Sequence, residues 1–206
     1  GVPLTEQQAI FVGRAEASAQ IEALLLERSH APLVLYGQRR MGKTSLLNNL
    51  GHLLPTTILP LFVDLQGPVS LASDEADLLY SLARAMIHSA QRQRRLVLSP
   101  LPREALAVGP FTAFDEWLDS VEAAMEAQGH LAALLSLDEF EALGAALEEK
   151  RLNSTALLAM LRHLMQHRPR FKVLMAASHT LEELDERRAA GAQTALLLPL
   201  AWPLAH

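Results

Sequence analysis

Lys43 and Thr44 close the stretch Gly37-Gln38-Arg39-Arg40-Met41-Gly42-Lys43-Thr44, which satisfies the pattern G-x-x-x-x-G-K-[ST] at every fixed position. Loops of this kind bind phosphate. Their amides point inward as a nest for anionic oxygens, and the following helix adds its partial positive charge. The two glycines let the backbone turn and approach the ligand closely. In that setting Lys43 reaches the β- and γ-phosphates and the Thr44 hydroxyl holds Mg²⁺. The pattern has meaning only between a strand and a helix. Pro32-Leu33-Val34-Leu35-Tyr36 reads as a short buried strand and Ser45-Leu46-Leu47-Asn48-Asn49-Leu50 as a helix, so the context is met. Gly37, Gln38, Arg39, Arg40, Met41, Gly42, Lys43, Thr44 and Ser45 are the expected phosphate cradle. An ordinary glycine-containing turn would leave the Gly-Lys-Thr triplet unexplained.

A phosphate loop does not say what happens to the nucleotide. Leu134-Leu135-Ser136-Leu137-Asp138-Glu139 is an apolar strand that ends in two acids, and it looks like a Walker B motif. In open parallel sheets the strand ends face the ligand crevice, which would bring both carboxylates near the phosphates. Asp138 is expected to hold Mg²⁺ through water. Glu139 is expected to orient and deprotonate an attacking water. The competing role for the pair is capping of the next helix. Ala176-Ala177-Ser178-His179-Thr180 ends a later strand, where Ser178 could touch the γ-phosphate or the water. Helix capping is the competing role there too.

The elements that must carry these groups alternate along the chain. Ala15 to Arg28 has helical spacing of Ile21, Leu24 and Leu25. After the first strand and a helix running to about His52, Ile58 to Leu65 reads as a second strand. Gln66-Gly67-Pro68 reads as a turn. Ser73-Asp74-Glu75 opens a helix that ends near Arg95. Ser99 to Pro110 reads as a loop, Phe111 to Ala127 as a helix stopped by Gly129, and Leu131 to Leu137 as the third strand. Leu152 to Arg168 is an amphipathic helix, Phe171 to Ala177 the fourth strand, Thr180 to Arg188 a charged helix and Thr194 to Leu198 a fifth strand. Strands alternating with helices predict an α/β fold whose largely parallel sheet is buried on both faces.

Composition narrows the function classes. The chain has 206 residues, 50% hydrophobic and 20% charged, enough for one sizeable core. It has no cysteine, which removes disulfides, thiolate metal sites and cysteine nucleophiles and is compatible with a cytoplasmic setting. Its net charge of −5 disfavours a free-standing nucleic-acid binder. Arg92, Arg94, Arg95 and Arg103 read as a helix C-terminus complementing its dipole rather than as a nucleic-acid patch. Arg187 and Arg188 read as a solvated helix end. The eight histidines show no metal-ligand spacing. Asp64 reads as a turn residue, and Trp117 and Trp202 as packing groups. No apolar run reaches membrane-spanning length and no secretory signal is read at the N-terminus.

Taken together, these residues resemble the ASCE division of P-loop NTPases and, more closely, the AAA+/STAND-type ATPases of archaea and bacteria. The resemblance rests on Phe11-Val12-Gly13-Arg14 with Glu16, on the double arginine of the phosphate loop, on Leu137-Asp138-Glu139-Phe140-Glu141 and on His167-Arg168-Pro169-Arg170-Phe171 leading to Ser178-His179-Thr180-Leu181-Glu182-Glu183-Leu184. It covers residues from about 10 to 184. It implies a three-layer P-loop core with a five-stranded sheet in the order 5-1-4-3-2. In the family's pattern Val12, Gly13 and Arg14 lie against adenine, and ATP with Mg²⁺ is the ligand. A single domain over 1–206 is expected, with an N-terminal box and helix at 10–30 and the α/β core at 31–200.

The sequence departs from the family at Ala177, where glycine is usual, and after about Asp185, where the helical lid and its second-sensor arginine look absent. The expected function is an ATP-binding, slowly ATP-hydrolysing core of a regulatory switch, acting as a homo-oligomer or with a protein partner. The main alternative is a non-hydrolysing nucleotide-binding module. A small-molecule kinase fits the Asp-Glu pair poorly, and a DNA-linked activity fits the acidic charge poorly.

Overall fold

The computed structural model describes residues 19, 21–23, 25, 33–36 and 42–177. Along this chain lie β1 (Leu33–Tyr36), α1 (Lys43–Asn48), α2 (Leu50–Leu53), β2 (Ile58–Asp64), α3 (Gln66–Leu71), α4 (Glu75–Arg94), a 3-10 turn (Arg103–Ala107), α5 (Pro110–Ala127), β3 (Ala132–Asp138), α6 (Glu141–Glu148), α7 (Ser154–His167) and β4 (Phe171–Ala177). The four strands form one parallel sheet in the order β1-β4-β3-β2. The inner part of the predicted strand order is therefore present. The predicted fifth strand, the charged helix at 180–188 and the N-terminal box lie outside the described residues.

Strand alternation explains why both faces of this sheet are covered. Ala133, Leu135 and Leu137 of β3, with Phe171, Val173 and Met175 of β4 and Leu59, Leu61 and Val63 of β2, point into one buried cluster with α4, α5, α6 and α7. Leu134 of β3, Leu174 and Ala176 of β4 and Ile58 of β2 point the other way. They meet Leu46, Leu47 and Leu50 of α1 and α2, together with Ile21 and Leu25 from the helical residues near the start. Each fully buried leucine contributes about 2 kcal/mol by leaving water, so the smaller cluster suffices to fix α1 on the sheet.

The helix starts follow their capping residues. Asp74 accepts the Asp77 amide at 2.9 Å at the head of α4, and Asn153 accepts the Ala156 amide at 3.0 Å at the head of α7. Gly129, with φ +77°, ends the α5 segment as predicted. Trp117 is buried, and its indole N–H donates to the Ser99 carbonyl at 2.8 Å. Arg168, buried just past α7, donates to Asp115 at 2.8 Å and Asp119 at 2.9 Å on α5. Burial alone would lower the Arg168 pKa, but these carboxylates raise it above the ordinary value. In return, the hydrogen bond from Arg168 holds Asp115 below the usual carboxylate range.

Three sequence expectations are corrected. Gln66-Gly67-Pro68 is the first turn of α3, not a connecting turn. Proline is tolerated there because first-turn amides have no helical acceptor to lose. The helix after the phosphate loop does not run unbroken to His52. It breaks at Asn49 into α1 and α2. Arg103 does not belong to the α4 C-terminus. It lies in the 3-10 turn, pairs with Asp77 near the start of α4, and stacks over the Tyr80 ring at 5.1 Å.

At the far end of α4, Arg92 donates to the Asn48 side chain at 2.7 Å. Gln93 accepts the Gly51 amide at 2.8 Å and donates to the Asn48 carbonyl at 3.2 Å. Arg94 donates to the carbonyls of Ile58 at 3.0 Å, Leu54 at 3.2 Å and Pro55 at 3.0 Å, and also to that of Gly51. These bonds clamp the end of α1 and all of α2. Burial lowers the Arg94 pKa.

Candidate functional site

The site is built where α1 begins and β3 ends. Gly42 precedes α1 in the left-handed conformation, with φ +84° and ψ +14°. A residue with a Cβ is strained there, which accounts for the glycine at this fixed motif position. The Gly42 carbonyl accepts the Leu46 amide at 2.9 Å and starts the helix. Lys43 and Thr44 follow as its first two residues, Lys43 half-buried and Thr44 exposed. No acidic side chain lies in this first turn.

Asp138 is the last residue of β3 and is only 3% exposed. Its Oδ2 accepts a hydrogen bond from the Thr44 hydroxyl at 2.5 Å, across 94 residues of sequence. Its Oδ1 accepts the amide of Glu139 at 3.0 Å. Its carbonyl accepts the Leu65 amide at 3.0 Å. The carboxylate is thus aimed at the head of α1 by sheet pairing on one side and by its own next amide on the other.

Glu139 is half-buried and sits at φ +52°. For a residue with a Cβ that conformation costs about 1 kcal/mol. The next amide, of Phe140, donates to the Ala176 carbonyl at 3.1 Å, and Phe140 is buried. Glu139 is therefore a one-residue corner between β3 and α6. Phe140, not either acid, occupies the N-cap of α6, and it makes no side-chain cap there. Asp64 lies directly opposite Asp138 on β2. Its Oδ1 accepts the amide of Gln66, the first residue of α3, at 3.0 Å.

Of the residues predicted from sequence, Thr44 and Asp138 are brought into direct contact, with Gly42, Lys43 and Ser45 at the same helix head and Glu139 adjoining Asp138. Gly37, Gln38, Arg39, Arg40, Met41, Val12, Gly13, Arg14 and Ser178 lie outside the described residues. Sequence reasoning passed over Ser136. It shares the α1 face of β3 with Asp138, is 1% exposed, and its hydroxyl has no partner among the described residues. A lone polar residue inside Leu134-Leu135-Ser136-Leu137 was the available signal.

The donor set suits Mg²⁺. The Thr44 hydroxyl and Asp138 carboxylate are hard oxygens that converge on one point beside the helix head. Among the described residues no group of three or more His, Cys, Asp or Glu could hold a metal ion. Mg²⁺ keeps several waters, takes few protein ligands and completes its shell with substrate phosphates. Among the described residues no helix is long and apolar enough to cross a membrane.

The chain is similar to known proteins in sequence pattern and in fold. The sequence pattern of a family described as AAA domain matches residues 26–184. No curated protein sequence matches the chain. Among solved structures, the fold is similar to the Walker-type ATPase of Pyrococcus abyssi, with 21% identity, a TM-score of 0.55, and 79% of this chain covering 44% of that one. It is also similar to the ORC2 protein of Aeropyrum pernix, solved as ADPNP and ADP complexes, with 19% identity, a TM-score of 0.52, and 88% of this chain covering 44% of that one. The chain thus spans less than half the length of either structural relative.

Proposed function

The chain belongs to the AAA domain family, and we propose that it binds ATP with Mg²⁺ and hydrolyses it slowly as the core of a STAND-like regulatory switch. The observation that carries this reading is the Thr44–Asp138 contact. It joins the end of the phosphate loop to the acid strand in the arrangement that Mg²⁺–nucleotide chemistry needs.

In this reading the amides of residues 37–42 and the head of α1 hold the phosphate oxygens, and Lys43 neutralises charge on the β- and γ-phosphates. Thr44 and Asp138 hold the ion, Asp138 through water. Bound Mg²⁺ supplies charge stabilisation at the phosphate oxygens. Glu139 accepts a proton from the attacking water and aims it at the γ-phosphorus. Ser178 contacts the γ-phosphate or that water. Val12, Gly13 and Arg14 lie against the adenine. A single core domain spans the chain, and a protein partner or a second copy reads the nucleotide state. The nucleotide complexes of the Aeropyrum pernix protein support the choice of adenine nucleotide.

The test is Mg²⁺-dependent phosphate release from ATP by the purified protein, beside Lys43→Ala and Glu139→Gln. Binding should be lost in Lys43→Ala. Glu139→Gln should retain ATP binding and lose release by at least about 100-fold, the usual cost of removing a general base. Turnover by Glu139→Gln at the parent rate would remove Glu139 from the chemistry. Tight binding with no release from the parent would instead establish the non-hydrolysing module.

A further inference from the structure

Glu139 is a corner, and a corner is aimed by whatever fixes its two arms. One arm is β3, fixed by sheet pairing. The other is α6, which leaves the sheet directly after Phe140 and ends at Glu148. Past that end the chain turns again through Lys150, at φ +56°, and reaches Arg151. The Arg151 amide donates back to the Ala146 carbonyl at 3.0 Å. Its guanidinium donates to the carbonyls of Val69 at 2.8 Å and Ala72 at 3.1 Å, at the C-terminal end of α3. Glu149 accepts from its Nε at 2.7 Å and holds the fork in place.

The segment 138–153 is consequently fastened to the segment 65–75 at both ends. The Leu65 amide meets the Asp138 carbonyl at the strand end. Arg151 meets the last carbonyls of α3, and the Asn153 amide meets the Glu75 carboxylate at 2.5 Å. Apolar packing of Leu143, Ala146 and Leu147 holds α6 against the core. Such packing is non-directional, and the planar fork of Arg151 sets how α6 is turned.

We propose that Arg151 is a positioning residue that aims Glu139 by locking α6 to α3. This rests on the reading of Glu139 as the water-activating group. Loss of the guanidinium removes the two bonds to α3 and loosens the far arm, which the Asn153–Glu75 bond and apolar packing then hold without a fixed turn, so Glu139 samples orientations in which it misses the water.

The experiment uses the full chain and compares Arg151→Met and Arg151→Lys with the parent. Arg103→Met, which breaks an ion pair near the start of α4, is the control at parental turnover. Two quantities are read: steady-state ATP turnover and hydrogen exchange of the Phe140 amide. In Arg151→Met, kcat should fall by roughly 10- to 100-fold, the range for a misplaced catalytic group, with KM within about twofold of the parent. Exchange at Phe140 should accelerate while Val63 and Val173 stay as protected as in the parent. Arg151→Lys, which keeps one donor for these carbonyls, should recover part of both. Unchanged exchange at Phe140 overturns the proposal whatever the rate does. So does faster exchange with parental kcat, or a general loss of protection that includes Val63 and Val173. If the parent itself releases no phosphate, the hydrolysis reading fails, and Phe140 exchange alone still decides whether Arg151 holds the corner.

Discussion

Replacing Arg94 by Met removes a guanidinium while keeping most of its apolar stem. In the parent this group reaches the carbonyls of Gly51, Leu54, Pro55 and Ile58, all at the junction between α2 and β2. A hydrogen bond from a charged donor is worth about 1.5–3 kcal/mol. Four such bonds do not add in full. The Pro55 carbonyl lies at the solvent edge and finds water in the variant, and removing a desolvated cation returns part of its burial cost. A net loss of about 3 kcal/mol follows. At 2–4 °C per kcal/mol for a domain of this size, the melting temperature should fall by roughly 6–12 °C. Thermal unfolding followed by circular dichroism, with urea titration as a check, measures it. Arg94→Lys should be nearly as damaging, because a single ammonium cannot fork between carbonyls on both sides of the junction. A drop below about 2 °C in Arg94→Met would show that the carbonyls are satisfied equally well by water and would refute the clamp.

Other outcomes follow from the same structure. Ser136→Ala should stabilise the protein by about 1 kcal/mol, since it removes a buried hydroxyl with no partner among the described residues; a lower urea midpoint in the variant would reveal a partner for that oxygen. Asp115 has its folded pKa depressed by the Arg168 hydrogen bond. Its contribution is therefore present above the unfolded carboxylate pKa of about 4 and is lost as pH falls through the lower folded value. Asp115→Asn should accordingly flatten the acid limb of stability below about pH 4 and leave the slope near neutrality unchanged; an acid limb identical to the parent's would contradict this.

The parts of this protein that were legible in the sequence are those written in local patterns. Gly42-Lys43-Thr44 and Leu137-Asp138-Glu139 are contiguous, and strands alternating with helices announce a parallel sheet buried on both faces. Asn153 and Asp74 mark helix starts by residue type. What was not legible depends on partners without a sequence label. The carbonyls that Arg94 holds lie 36–43 residues away. Those that Arg151 holds lie 79–82 residues away. Any residue carries a carbonyl, so nothing in the sequence marks these. Pro68 misled for a different reason: the same ring that breaks a helix interior is neutral in a first turn. α6 was given no bounds from sequence, because it starts at Glu141, directly past the corner whose acids draw attention as a site.

The outer edge of β2 has a consequence of its own. Pro60 has no amide to offer there, and the Phe62 amide is taken by the Ser89 hydroxyl of α4 at 2.7 Å. Ser89 then donates to the Pro60 carbonyl at 3.4 Å. With the Ile58 carbonyl held by the Arg94 guanidinium, α4 engages this edge from Ile58 to Phe62 and hinders edge-to-edge pairing there. β1 forms the other edge of the described sheet. A strand approaching the described sheet from the β2 side therefore has to displace Ser89 and Arg94 before it can pair there.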